Sequence, residues 1–386
     1  MRISLLCLKR NYCITRHAQQ VVYMSLSSSP TDLSGRDFGT SLSSDLTNAR
    51  GVSADAVNSP RRIEALDFTK GALVLFMVLY HWLVYFHGPH GLIFRYLRFL
   101  PPSFIFITGF LISNAYLAKY KISDPRLPKR LVIRGLKVLG VFVTLNLLIS
   151  LLFTGFRNLN AANFFAVFVT GNVFVAGFGK AAAFYILVPI SYLLLFSAGL
   201  LVICRFYKHT FYIVCLFCLL GNVVLSSEGL SSGNLELLTI GLLGLILGYT
   251  PPEKINSLMK HPYPIVVAYL CYVVTITFRE PNYPLQIAGV CLTLMVIYLV
   301  GARMCKPAVV RRQIILLGRY PLLGYIVQIA ILQILRTSLL DFDLGTALLV
   351  LTFAAAVVLT VLAIFAVDHV RAKSLLVDWC YKSIFA

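Results

Sequence analysis

A histidine inside an apolar helix is the side chain in this sequence best suited to chemistry. Residues 61–86 read RRIEALDFTKGALVLFMVLYHWLVYF, with Asp67 and Lys70 at the start of the apolar run and His81 well within it. As a helix, this stretch puts Lys70, Val74, Met77 and His81 along one face. Lys70 and His81 then lie roughly 16 Å apart along the axis, about half the hydrocarbon thickness of a bilayer. An ionisable group at that depth costs several kcal/mol unless it faces protein or water, so a functional site is the default expectation. The residue alone admits three roles: a neutral buried histidine bonded to a neighbouring helix, a group on a proton or solute path, or a general base whose near-neutral pKa suits taking a proton from a hydroxyl or amine.

Other candidates carry weaker signals. Asp67 and Lys70 are three residues apart and can form a local ion pair while Lys70 snorkels to the interface. Arg130, Arg134 and Lys137 are spaced at four and three, so they share a helix face, and loop charge with anionic-lipid contact accounts for such a run. Cys215 and Cys218 have metal-ligand spacing but no second pair, and read as small apolar residues of a helix, so no metal site is expected. His87 and His90 sit beside glycine and proline in a loop, where solvated histidines are ordinary.

The elements that must position these groups are membrane helices. The chain has 386 residues, 59% hydrophobic and 13% charged, with a mean hydropathy of +0.83. Ten apolar segments of near-spanning length are expected near 67–86, 99–118, 133–155, 181–204, 210–226, 234–250, 263–278, 284–302, 314–335 and 345–368. Asn163–Asn172 is too short and Gly-flanked for a span and reads as re-entrant or interfacial. Pro101 and Pro102 fall where a second helix would start and missing N–H groups cost least. Gly241, Gly244 and Gly248 make a small-residue face on the sixth helix for close packing. Residues 1–23 are basic, and their apolar run Ile3–Leu8 is too short for a signal-peptide core. Met24, an alternative start, opens a Ser-rich stretch that reads as disordered. The expected organisation is a tail over 1–60 and one multi-pass domain over 61–386.

The net charge of +19 lies mostly between the apolar segments, which argues for membrane orientation rather than nucleic-acid binding. With residue 61 on the cytoplasmic side, twenty Lys and Arg fall on inner segments and six on outer ones. That bias puts both termini in the cytoplasm, in a plasma or inner membrane.

Lys70, ten residues, then His81 resembles the Arg/Lys-x10-His signature on the first membrane helix of acyltransferase family 3. The surrounding IEALDF-x-KG and the later PSFIFITGF resemble the heparan-α-glucosaminide N-acetyltransferase catalytic domain and the glucan-succinylating membrane proteins, which belong to one superfamily. The resemblance implies an all-α polytopic membrane bundle of about ten transmembrane helices. It also implies transfer of an acyl group, most simply acetyl, from cytoplasmic acyl-CoA to a sugar or lipid-linked glycan. It gives His81 the role of base or acyl carrier, sets Lys70, beside Asp67, against the acyl donor, and makes Arg130, Arg134 and Lys137 a cradle for the coenzyme A phosphates. Thr108-Gly109 matches a small-residue position, expected to let backbone approach the first helix or a pantetheine arm. Glu236 is then an interfacial acid or a group that orients the acceptor or His81. Gly318-Arg319-Tyr320-Pro321-Leu322 resembles a late motif in which many relatives carry a histidine where this chain has Gln328. The rival expectation is a proton-coupled transporter or flippase with His81 and Lys70 on its path; it would favour inverted repeats or paired interrupted helices, which are not evident.

Overall fold

In a computed structural model of the chain, the described residues are 63–88, 92–117, 124–151, 161–170, 174–175, 179–180, 183–204, 209–228, 232–280, 282–304, 309–339 and 345–385. The expected tail over 1–60, with Arg61 and Arg62, lies outside them. The fold is all-α, and the helix bearing His81 is its hub. Helix α1 (Glu64–Phe86) has no proline and places Glu64 and Asp67 in its first turn, where the helix dipole favours acids. Thr69 and Gly71–Val74 are all buried, so α1 is covered all round over this turn, while Phe76 further along is exposed.

The helices that follow are α2 (Leu92–Leu97), α3 (Leu100–Leu111), α4 (Arg126–Ile149), the short α5 (Ala161–Thr170), α6 (Leu187–Cys204), α7 (Thr210–Ser227), α8 (Gly233–Leu247), α9 (Pro252–Leu258), α10 (Pro262–Phe278) and α11 (Tyr283–Arg303). Then come α12 (Val309–Arg319), α13 (Pro321–Ser338), α14 (Thr346–Lys373) and α15 (Leu375–Phe385). A two-residue antiparallel ladder, β1 (Phe174–Val175) with β2 (Gly179–Lys180), lies between α5 and α6. Around α1 stand α3, α11, α12, α13 and α14, while α4 pairs with α6 and α3 with α8.

Among the described residues, seven stretches are long and apolar enough to cross a membrane: α1, Ile93–Leu117, α4, α6, α11, α13 and α14. Shorter apolar helices occupy Thr210–Leu225, Gly233–Leu247 and Pro262–Phe278. These ten positions coincide with the ten expected apolar segments. The outward faces are apolar as well: on α4 the stripe Leu127, Leu131, Gly135, Val138, Phe142 and Asn146 is buried, while Ile133, Leu136 and Leu148 are exposed. A helix apolar on both its buried and its exposed face belongs in lipid. The chain has the architecture of a multi-pass membrane protein.

Backbone-to-backbone contact at glycines sets the helix spacing. A Cβ on Gly71 would lie 1.8 Å from the Ile314 carbonyl oxygen, and one on Gly318 would lie 1.7 Å from that of Asp67. The start of α1 is thereby pressed against α12. The expected face on α8 behaves likewise, with Gly244 against the Phe106 carbonyl and Gly248 against that of Phe110. Gly109 joins the same seam, 1.9 Å from the Gly241 carbonyl as a Cβ would sit, so the helix it approaches is α8 and not α1.

Several boundaries differ from the sequence expectation for local reasons. Helix α4 begins at Arg126, which draws the basic run into the helix. The expected segment 314–335 is two helices broken at Tyr320, whose backbone (φ −124°, ψ 45°) is not helical; Pro321 supplies no N–H and opens α13 in its first turn. Pro101 sits in the first turn of α3 as expected. Beyond Leu111, α3 continues as a π-helical turn over Ile112–Leu117. The last span runs to Lys373 and is followed by α15, an amphipathic helix absent from the expectation. The short α5 buries Val167 and sets Phe164 and Phe168 against Phe142, consistent with a segment that does not span.

Candidate functional site

His81 sits five residues before the end of α1, half-buried, in a layer of rings. Its neighbour Trp82 ties the helix to α14 through Nε1–H donation to Thr352 Oγ1 at 2.9 Å. The His81 ring lies 5.4 Å from Tyr80 and 5.7 Å from Tyr325, and Tyr325 in turn meets Phe184 edge-on at 5.8 Å. From α13, Gln328 brings Nε2 to 3.3 Å from His81 Nδ1. Gln328 is fully buried, and its Oε1 has no hydrogen-bond partner among the described residues. An amide N–H only donates, so in this orientation Nδ1 accepts and a neutral ring carries its proton on Nε2. Turned over, the amide would accept from Nδ1–H and leave Nε2 unprotonated, the form that a base or nucleophile needs. The position at which this chain departs from the motif it resembles is therefore in direct contact with His81.

Two cavities approach this layer from opposite ends of α1. The first, of about 200 Å³, is lined by Lys70, Thr108, Tyr116, Arg134, Arg319, Tyr325, Tyr381 and Phe385 among others. It adjoins a polar vestibule of about 220 Å³ bounded by Asp67, Lys70, Asn114 and Arg319. The π-helical turn presents Asn114 to the vestibule and Tyr116 to the cavity. Lys70 Nζ pairs with Asp67 Oδ1 at 2.5 Å, the local ion pair that their spacing allows. Arg134 donates to the Tyr116 hydroxyl, with its guanidinium 5.9 Å from that ring. Of the three basic residues expected to act together, Arg134 alone lines the cavity; Arg130 and Lys137 share its helix but are not among the lining residues.

The second cavity, about 250 Å³, is lined by Tyr80, Arg98, Pro101, Pro102, Tyr185, Glu236 and Gln286 among others. Tyr80, ten residues along α1 from Lys70, shares the wall of this cavity with Glu236 of α8. His81 lines neither cavity. Its ring meets one lining residue of each, Tyr325 of the first cavity and Tyr80 of the second, and these three rings form a septum.

No family model, no curated protein and no solved structure matches the chain. The site is therefore read from its own geometry.

Phe184 and Tyr185 are the septum residues that sequence reasoning missed. Phe184 has φ 57°, a left-handed conformation that costs a non-glycine residue about 1–2 kcal/mol. It is held there by Asn146, whose Oδ1 accepts from the Ala183 N–H at 2.7 Å while Nδ2 donates to the Ala183 carbonyl at 2.9 Å. The turn aims Phe184 at Tyr325 and Tyr185 at the second cavity. Among the described residues no three His, Cys, Asp or Glu side chains gather in a way that could hold a metal ion.

Proposed function

We propose that this chain is an integral membrane acyltransferase that moves an acyl group, acetyl in the simplest case, from acyl-CoA in the first cavity to a sugar or lipid-linked glycan in the second. The observation that carries the reading is the pair of cavities meeting at the His81 septum, one of them rimmed by Lys70, Arg134 and Arg319. Arginine forks and a lysine point charge suit the phosphates of a nucleotide. The charge bias of the loops turns this rim toward the cytoplasm, with both termini on that side. From the rim to the level of His81 is roughly 16 Å along α1, a span suited to an extended pantetheine arm.

Separate cavities favour two steps over direct attack. In the first, His81 Nε2 adds to the thioester carbonyl, the C–S bond breaks, and the coenzyme thiolate leaves toward the basic rim. In the second, an acceptor hydroxyl or amine takes the acyl group from the acyl-imidazolium, and the proton it releases passes by way of Nε2 to the coenzyme thiolate, which restores the neutral ring. Gln328 Oε1 accepting from Nδ1–H is the orientation that keeps Nε2 unprotonated for this. Tyr325 must swing aside for the first step, since it stands between the cavity and His81.

Purified protein in lipid nanodiscs with radiolabelled acetyl-CoA tests the reading. Nucleotide binding by wild type and His81→Ala alike, with label on the protein or slow thioester hydrolysis in the wild type alone, is the expected result. Absence of nucleotide binding in both would sink it. The same cavities on opposite sides of an ionisable residue also fit a proton-coupled transporter, for which solute uptake driven by a pH gradient, without any nucleotide, is the discriminating result.

A further inference from the structure

Helix α15 belongs to no part of the mechanism above, yet it closes the first cavity. The last span, α14, ends at Lys373; Ser374 leaves the helical conformation (φ −121°, ψ 114°) and the chain turns into α15. Residues 378, 381 and 385 are spaced at three and four and so share one face. Tyr381 and Phe385 from that face line the cavity, and α15 contacts α4, the helix that supplies Arg134.

The face is latched to the end of α14. Arg371 Nη2 meets Asp378 Oδ1 at 2.5 Å, and its Nε donates to the same oxygen at 3.1 Å. The Arg371 guanidinium also lies 3.9 Å from the centre of the Tyr381 ring and donates to the Tyr320 hydroxyl at 2.9 Å. That hydroxyl donates to Asp368 at 2.5 Å, and Lys382 Nζ reaches Asp378 Oδ2 at 2.6 Å.

The opposite face is apolar and open: Leu375 is 90% exposed, Leu376 70% and Trp379 66%. We infer that α15 is an interfacial helix, its Leu375–Leu376–Trp379 face seated on an anionic bilayer surface and its Tyr381–Phe385 face forming a wall of the first cavity. Two features name the bilayer as the occupant. The face begins two residues after a membrane span ends, so it lies at the level where hydrocarbon gives way to headgroups. Lys373 and Lys382 flank it, and a tryptophan on an apolar stripe between lysines is the composition that partitions to an anionic interface. The wall of the cavity is then held from outside by lipid, and the cavity is complete only in a membrane. The placement of α15 rests on the membrane reading of α14; only its effect on nucleotide rests on the proposed function.

The test follows Trp379 emission in vesicles of phosphatidylcholine and phosphatidylserine, as the difference between wild type and Trp379→Phe. Bromine on the upper acyl carbons is expected to quench this signal more than bromine near the bilayer centre. In Leu375→Ser/Leu376→Ser the quenching should disappear, and the dissociation constant for acetyl-CoA should rise about tenfold, the shift expected from losing a few buried methylenes' worth of anchoring. A Trp379 signal quenched by aqueous iodide and untouched by brominated lipid would overturn the inference. So would efficient disulfide crosslinking of the exposed Cys380 between two copies, which would assign the face to a second chain. Fluorescence needs no nucleotide, so a failure of the coenzyme A reading leaves this test intact.

Discussion

At the scale of single residues, a buried carboxamide beside an imidazole fixes which ring nitrogen is available, and Gln328 stands 3.3 Å from His81 Nδ1. Gln328→Leu keeps the volume and removes that partner, at a cost of about 1 kcal/mol in orientation. Transfer should fall roughly fivefold to tenfold, and its pH–rate profile should move while nucleotide affinity holds. An unchanged profile would remove Gln328 from the mechanism. Tyr325→Ala should instead open the septum: acetyl-CoA hydrolysis without acceptor rises while transfer falls, because water reaches the reacting carbonyl. Parallel hydrolysis and transfer assays check it. His81 stands out in the sequence because an ionisable group in an apolar run needs a partner or a role, and Gln328 is a partner that the structure puts beside it. Gln328 showed only as a departure from a motif. Phe184 and Tyr185 were not legible, since their turn depends on Asn146, a partner 37 residues away in the chain, that leaves no local signature.

At the scale of elements, the seam between α1 and α12 sets where Lys70 and Arg319 stand relative to each other. Gly318→Ala drives a Cβ to 1.7 Å from the Asp67 carbonyl, so the helices must part. Overpacking of this kind costs about 1–3 kcal/mol, and nucleotide binding should weaken with it. Gly140→Ala, with nothing within 4 Å of the new Cβ, should be neutral or stabilise by about 0.5–1 kcal/mol. Thermal unfolding of the two variants decides. The latch on α15 also predicts a pH response. Hydrogen bonds from Lys382 and Arg371 hold the Asp378 carboxyl below its ordinary value of 3.8. A depressed carboxylate contributes fully above that ordinary value and loses its contribution as pH falls through the lower folded value. Tyr320, pushed up to about 12 by burial and then by Asp368, stays a neutral donor over the same range. Trp379 emission should therefore stay constant from neutral pH down to the ordinary aspartate value and change only below it, and Asp378→Asn should abolish the transition. The ten apolar segments were legible because membrane spans need length and hydropathy above all. The break at Pro321 was written in the sequence but masked by apolar residues on both sides, and α15 was missed because eleven residues fall short of a span.

At the scale of the whole molecule, the proposed orientation rests on the sequence bias of twenty basic residues on one set of segments against six on the other. Cys380 is exposed on α15, so a membrane-impermeant maleimide should label it from the cytoplasmic side only. Labelling from the far side would invert the account. The central claim is that an acyl group crosses the His81 septum from one cavity to the other. Its most direct test uses sealed vesicles with the α15 side outward, labelled acetyl-CoA outside and a methyl glycoside acceptor enclosed. The account predicts label on the enclosed acceptor with wild type and at least about a hundredfold less with His81→Ala, since the group that carries the acyl chain and relays the acceptor's proton is gone. Label confined to acceptor on the nucleotide's own side, with none enclosed, would contradict it.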